Sequence, residues 1–176
     1  LHNMNRHVIR WATQGFANVI RAEGEEAMQK GVAVCMDCRN HSAEFARETA
    51  CVMAANGIHV RLFESLRPTP ELSFAVREYG CQAGVNVTAS HNPKEYNGYK
   101  VYWSDGAQLP PQHAAAIADE LTRIDIFTGV RSMDYEQALA EGRIELLGED
   151  CDRRFMANVM GMVNDYETVK KVADDF

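Results

Sequence analysis

The chain has 176 residues, of which 46% are hydrophobic and 24% charged, a composition typical of one globular domain or of one domain with the start of a second. Its formal net charge of −7 argues against nucleic-acid binding, because affinity for a phosphate backbone comes from clustered Lys and Arg. No window approaches the roughly 18 uninterrupted apolar residues of a membrane span, and five scattered cysteines favour a reducing, cytoplasmic location.

The first residues lack both an initial Met and an apolar region, so they do not form a signal peptide, and we expect the protein to begin earlier. Apolar residues at helical spacing then predict a helix over residues 6–21. Beyond it, short apolar runs alternate with helical patterns. The predicted elements are a strand over 31–35, a helix around 45–53 that ends at Asn56-Gly57, a strand over 58–63, a helix over 68–79 and a strand over 85–88.

This alternation predicts an α/β fold with a mainly parallel, mixed sheet sandwiched between helices. In such sheets, ligands bind outside the carboxyl ends of the strands. The stretches that follow Cys35 and Thr88 are therefore where we expect chemistry.

After residue 97 the pattern changes. Asn97-Gly98 is a turn signal, residues 99–103 alternate like a strand, and Pro110-Pro111 opens an Ala-rich helix to about Leu121. The weak periodicity that follows resembles a connector, and helical spacing then resumes to the end. The predicted division is a domain over 1–125, a connector over 126–149 and the first helix of a following domain over 150–176.

The stretch from Val87 to Lys100 contains the most informative residues of the chain. A strand ends in a polar loop that presents Ser90 beside His91, and Lys100 lies two residues beyond the turn. Two residues span roughly 7 Å of strand, a distance that a lysine side chain covers, so the Lys100 amine could reach this loop. An amine there is useful if the serine oxygen carries phosphate. By residue type alone, an ordinary turn remains the alternative.

Residues 88–93, Thr-Ala-Ser-His-Asn-Pro, followed by Asn-Gly-Tyr-Lys at 97–100, closely resemble the phosphoserine loop of the α-D-phosphohexomutases, the phosphoglucomutase/phosphomannomutase family. The resemblance covers roughly residues 4–125 and leans towards the longer-chain branch that includes phosphopentomutase. Further segments similar to that family follow in the same order, at residues 12–16, 37–42, 68–72 and 106–110.

The resemblance implies that Ser90 is the phosphorylated residue, which donates phosphate to an aldose phosphate and takes one back through a sugar bisphosphate. Its phosphate would also supply one oxygen ligand to Mg²⁺. Lys100 would assist proton transfer or charge balance and, with Ser90 and His91, make up the catalytic set. His91 and Asn92 would shape the loop, and Arg39 lies where the family has an arginine near the cleft.

The chain also departs from the family pattern. It has no D-x-D-x-D-R metal loop, for which Asp150-Cys151-Asp152-Arg153 is the nearest string, and it lacks the later sugar-binding and phosphate-binding loops. We therefore expect the remaining domains of a parent enzyme to be its partners, and the isolated chain to be catalytically silent. Glucose, mannose and pentose phosphates all stay open as substrates.

Two alternatives remain at this stage. Cys35-Met36-Asp37-Cys38 is a C-x-x-C sequence at a strand-to-helix junction, where a thioredoxin-like redox pair would lie. The structural interpretation of the same residues is a small buried hydrophobe followed by a loop residue. The second alternative is a non-catalytic binding module that docks to a partner through exposed apolar surface.

Overall fold

The computed structural model describes residues 4–173. Residues 1–3 and 174–176, the outer ends of the predicted first domain and of the predicted last helix, lie outside the described residues. The strands are β1 (Val32–Met36), β2 (Val60–Phe63), β3 (Ala83–Val87), β4 (Tyr99–Trp103) and β5 (Ile144–Leu147). The helices are α1 (Arg6–Ala22), α2 (Glu25–Lys30), α3 (Ser42–Ala55), α4 (Thr69–Glu78), α5 (Pro111–Leu121), α6 (Tyr135–Ala140), α7 (Glu149–Gly161) and α8 (Tyr166–Val172).

All five strands form one sheet in the order β4-β3-β1-β2-β5. β1 pairs in parallel with β2 and β3, and β2 pairs in parallel with β5, whereas β4 runs antiparallel to β3. The central strand β1 is buried along its whole length, as expected for a valine-rich strand that helices cover on both faces. The α/β fold with a mainly parallel, mixed sheet is thus confirmed.

Two hydrophobic clusters lie on opposite faces of this sheet. The larger one joins α1, α3 and α6 to the strands, with Phe16 and Met53 among its fully buried side chains. The smaller one joins α4 and the start of α7, around Phe63 and Leu72. Because side chains alternate between faces along each strand, neighbouring residues of β1 such as Val34 and Cys35 belong to different clusters.

The segment over 126–149, predicted as a connector, instead contains α6 and β5. β5 extends the sheet beyond β2, with Val60 opposite Ile144 and Phe63 opposite Leu147. Its buried and exposed residues follow the order buried, exposed, exposed, buried, which matches neither a strand nor a helix period over so short a run. Pairing with β2, and not a local sequence pattern, therefore accounts for this strand. The proposed division into domains stays a prediction.

Substitution within β5 tests its place in the sheet. We expect Leu147→Ala, at a side chain that is 4% exposed, to lower the free energy of unfolding by about 2–3 kcal/mol through lost burial and a residual cavity. The matched control is Leu146→Ala, at a neighbour that is 45% exposed, which should change it by less than about 0.5 kcal/mol. Urea denaturation would measure both, and equal effects would contradict the assignment of β5 to the sheet.

The end of the described chain forms two helices rather than the single predicted one. The start of α7 packs against α4, where the rings of Phe155 and Phe74 lie 5.6 Å apart between centroids. The second half of α7 and all of α8 are exposed, including apolar side chains such as Met160 and Val169. Within residues 4–173, no helix combines the length and apolar character needed to cross a bilayer.

Candidate active site

Two loops meet at the carboxyl edge of the sheet, one after β1 and one after β3. These strands are neighbours, and their last residues, Met36 and Val87, pair directly. The loops stay together beyond the strands, because the Asn40 amide donates to the carbonyl of Lys94 at 3.1 Å. The sequence-based expectation that chemistry lies after β1 and β3 thus corresponds to one continuous surface.

Ser90 lies at the tip of the second loop in an uncommon backbone conformation. Its φ is 62°, in the left-handed region, which among non-glycine residues of 4–173 only His41 shares. Its amide donates to Thr88 Oγ1 at 3.0 Å. The residue is exposed, as are His91 and Asn92, and the Ser90 hydroxyl has no hydrogen-bond partner among the described residues. A strained backbone that presents a free hydroxyl requires support from its surroundings.

Arg39 supplies much of that support. Its side chain is only 6% exposed, and its Nη2 donates to the carbonyl of Ser90. Its Nη1 donates to three further carbonyls of the same loop, those of Asn92 at 2.6 Å, Pro93 at 2.9 Å and Tyr96 at 3.3 Å. These contacts engage all three nitrogens of the guanidinium, so Arg39 holds the Ser90 loop in place.

A second set of contacts closes the loop from its other end. Asn97 Nδ2 donates to the carbonyl of Asn40 at 3.0 Å and to Ser42 Oγ at 2.9 Å. The next residue, Gly98, faces the backbone of β3 so closely that a Cβ there would lie 2.7 Å from the Thr88 carbonyl oxygen. Only glycine fits at this approach, which explains the Asn-Gly pair in the motif.

Lys100 lies at the same edge of the sheet, on β4, directly opposite Asn86 of β3. Its neighbour Tyr99 faces α1, where its hydroxyl lies 3.0 Å from Thr13 Oγ1, so Lys100 faces the α4 side of the sheet. Within residues 4–173, no hydrogen bond or ion pair involves the Lys100 amine. The fold therefore brings Arg39, Ser90 and Asn92 into contact, and leaves Lys100 nearby but unpaired.

Asp37 and Thr88 form the base of the two loops and have no role in the sequence-based site. The Asp37 carboxylate accepts from Arg39 Nε at 2.8 Å, from Ser42 Oγ at 3.1 Å and from Thr88 Oγ1 at 2.5 Å. Each of the two residues directly follows a strand, at the edge where the sequence already places the site. That position was the available signal in the sequence, but Asp37 and Thr88 are 51 residues apart, so their contact could not be predicted from spacing.

The described residues do not form a magnesium site by themselves. Within 4–173, no group of three or more His, Cys, Asp or Glu side chains converges as metal ligands would. Asp37 is linked to Ser90 through Thr88, and both of its carboxylate oxygens already accept hydrogen bonds. A phosphorylated Ser90 would offer oxygen ligands, but Mg²⁺ needs several more.

The C-x-x-C sequence gains no support as a redox pair. Cys35 is fully buried, and its Sγ donates to the carbonyl of Arg67 at 3.2 Å. Burial raises the pKa of the Cys35 thiol to about 12, whereas reactive cysteines have lowered pKa values. Cys38 is exposed, and both thiols are free.

A further charged cluster joins α7 to the loop before α4. Arg67 donates through Nε and Nη2 to the two carboxylate oxygens of Asp152, at 2.6 and 2.7 Å. Glu71, which is 3% exposed, shares a side-chain hydrogen bond with Asp152. Burial, reinforced by Asp152, raises the pKa of Glu71 to about 7. Sequence spacing gave no sign of this cluster, since Asp152 lies more than 80 residues from its partners.

Comparison with known proteins identifies the family. Residues 1–126 match the family model of the phosphoglucomutase/phosphomannomutase alpha/beta/alpha domain I. A phosphoglucomutase of Staphylococcus saprophyticus is 31% identical over 160 residues, which cover 91% of this chain and 28% of that protein. The human phosphopentomutase is 39% identical over 127 residues, covering 69% of this chain and 21% of that protein. The chain thus spans less than a third of the length of these relatives.

Solved structures of related proteins have the same fold as this chain. A provisionally assigned phosphomannomutase from Thermus thermophilus superposes with a TM-score of 0.69 at 27% identity, over 82% of this chain and 30% of that one. A phosphoglucomutase/phosphomannomutase family protein from Burkholderia thailandensis has the same fold, with a TM-score of 0.67 at 21% identity, over 91% of this chain and 32% of that one. The sheet order, the Ser90 loop and these similarities lead to one conclusion: the chain belongs to the α-D-phosphohexomutase family and corresponds to its N-terminal domain I.

Proposed function

We propose that this chain is the part of a sugar-phosphate mutase that carries the transferred phosphoryl group on Ser90. The parent enzyme would move phosphate between the 1 and 6, or 1 and 5, positions of an aldose phosphate through a sugar bisphosphate. One observation carries the proposal: Ser90 is exposed at the carboxyl edge of the sheet, on a loop that Arg39 holds through four carbonyls. Such rigidity suits phosphoryl transfer, which depends mainly on positioning and electrostatics.

In the step that loads the serine, a bond forms between Ser90 Oγ and phosphorus while the bond from phosphorus to the sugar oxygen breaks. The hydroxyl proton of Ser90 leaves to a base, and the sugar oxygen gains a proton. The unpaired Lys100 amine, at the same edge, would offset the charge of the phosphate or assist that proton transfer. His91 and Asn92 flank Ser90 on the exposed side and would border the incoming sugar phosphate.

Magnesium, when bound, would neutralise charge on the phosphate. This chain would contribute one ligand through the Ser90 phosphate, and the others would come from further domains of the parent enzyme. Those domains would also choose the sugar and complete the cleft, in a cytoplasmic enzyme. The exposed apolar residues of α7 and α8 are expected for such a domain as well as for a binding module, so they do not favour the second function.

Phosphate mapping tests the proposal. After incubation of the purified chain with glucose 1,6-bisphosphate or ribose 1,5-bisphosphate, we expect mass spectrometry to find phosphate on Ser90. The Ser90→Ala variant should lose this signal entirely, whereas Ser104→Ala, at an exposed serine of a turn, should keep it. Sugar-phosphate isomerisation by the chain alone should stay undetectable. An unphosphorylated Ser90 together with concentration-dependent self-association would instead support the binding module.

A further inference from the structure

We propose that Asp37 is a positioning residue for the transfer step, because it anchors both backbone polar groups of Ser90, the amide and the carbonyl. The catalytic consequence rests on the proposed function, but the anchoring itself does not. Asp37 directly follows β1, and Ser90 lies in the loop after the neighbouring strand β3. Asp37 acts on Ser90 indirectly, through Thr88 on one side and through Arg39 on the other.

The first route runs through Thr88 to the amide of Ser90. Thr88 Oγ1 donates to Asp37 Oδ2 at 2.5 Å, and the Ser90 amide donates to the same Oγ1 at 3.0 Å. A carboxylate only accepts hydrogen bonds, so the single hydrogen of the Thr88 hydroxyl points to Asp37. The hydroxyl is thereby left as an acceptor towards Ser90. Thr88 is 4% exposed, which keeps water from replacing either bond.

The second route runs through Arg39 to the carbonyl of Ser90. Asp37 accepts from the Arg39 amide at 3.1 Å and from its Nε at 2.8 Å. These two bonds orient the guanidinium, whose Nη2 donates to the Ser90 carbonyl. A charge-assisted pair of this kind is stronger than a neutral hydrogen bond and has a defined direction.

Together the routes explain how Ser90 keeps a φ of 62°. This conformation is disfavoured for a residue with a Cβ, and it persists only where several contacts impose it. Both backbone polar groups of Ser90 are bound, and both bonds depend on the one carboxylate of Asp37. The hydroxyl itself has no hydrogen-bond partner within residues 4–173. Asp37 would therefore set the direction of the nucleophile without touching the substrate.

Three variants of the full chain test the first route. Thr88→Val keeps the shape of the side chain but removes the hydroxyl, Thr88→Ser restores it, and Asp37→Asn replaces an obligate acceptor with a group that can also donate. We expect amide hydrogen exchange, followed by NMR, to accelerate at Ser90 by about tenfold in Thr88→Val and Asp37→Asn. Thr88→Ser should exchange as the unmodified chain does. Amides in the centre of β1 should be unchanged in all three.

Unchanged amide exchange at Ser90 in a folded Thr88→Val chain would overturn the proposal. Faster exchange at Ser90 in Thr88→Ser than in the unmodified chain would overturn it too. If Thr88→Val does not fold, a measurement on the unmodified chain tests the proposal instead. Its Thr88 hydroxyl hydrogen should exchange slowly and give a nuclear Overhauser contact to the Ser90 amide, and a freely exchanging hydroxyl would refute the proposal.

Phosphorylation of the same variants separates this inference from the proposed function. If the sugar bisphosphate phosphorylates Ser90, we expect the rate to fall by about tenfold in Thr88→Val and to recover in Thr88→Ser. Equal rates in all variants would remove the positioning role and leave the proposed function standing. No phosphorylation of the unmodified chain would sink the proposed function, while the exchange measurements would still report on the anchoring.

Discussion

Replacing Arg39 with alanine is expected to lower the free energy of unfolding by about 3 kcal/mol or more, because it leaves a partly buried carboxylate without its cation. The Arg39 side chain is 6% exposed and pairs with Asp37 at 2.8 Å. The change also removes the donor from four loop carbonyls at once. Chemical denaturation with urea, monitored by tryptophan fluorescence and circular dichroism, would measure the loss.

Two further variants test whether the stability lost in Arg39→Ala comes from the contacts of the guanidinium. Arg39→Lys keeps the charge but not the planar fork of donors, so it should recover less than half of the lost stability. Arg123→Ala removes an exposed arginine that pairs with Glu120 at 2.9 Å, and it should cost less than about 1 kcal/mol. A similar cost for Arg39→Ala and Arg123→Ala would mean that the loop does not depend on the Arg39 guanidinium.

Stability should also fall as the pH rises through about 7, because of Glu71. Burial raises the pKa of this carboxyl from an ordinary value of 4.5 to about 7. The folded chain therefore binds a proton at Glu71 that the unfolded chain has already released, so the stabilisation is complete below pH 4.5 and disappears as the pH passes 7. A shift of this size corresponds to at most about 3 kcal/mol.

The charges around Glu71 also determine how stability changes in acidic solution. The hydrogen bond from Arg67, together with one accepted from protonated Glu71, lowers the pKa of Asp152, and Glu64 lies 3.9 Å from Arg67. The contribution of Asp152 is therefore present above its ordinary pKa of 3.8 and lost in more acidic solution. Between these limits the two carboxyl groups hold one proton.

Unfolding measured by urea at several pH values between 5 and 9 would test this prediction. Glu71→Gln should remove most of the decline, because a neutral amide takes the place of the protonated carboxyl. Glu149→Gln, at an exposed position in the first turn of the same helix as Asp152, should leave the decline unchanged. A decline that persists in Glu71→Gln would assign the effect to other titrating groups, such as the histidines.

Much of the fold was predictable because its central strands are fully buried and its helices have clear stops. β1 is a continuous apolar run and β3 is buried along its whole length, and Asn56-Gly57 and Gly80 end the helices that follow β1 and β2. β5 lacked any such signal, since only Ile144 and Leu147 of its residues are buried. Its place beside β2 depends on pairing between residues about 80 positions apart, which no local pattern encodes.

In the candidate site, too, some features were predictable from the sequence and others were not. Consecutive residues were enough to predict the family, the α/β class and the loop with Ser90, because the motif and the periodicity that indicate them are local. Only the tertiary structure showed that Arg39 holds the loop, that Lys100 has no partner among residues 4–173, and that Asp37 and Thr88 support Ser90. The physical reason is that hydrogen bonds and desolvation depend on which residues meet across neighbouring strands, and distance along the chain does not specify this.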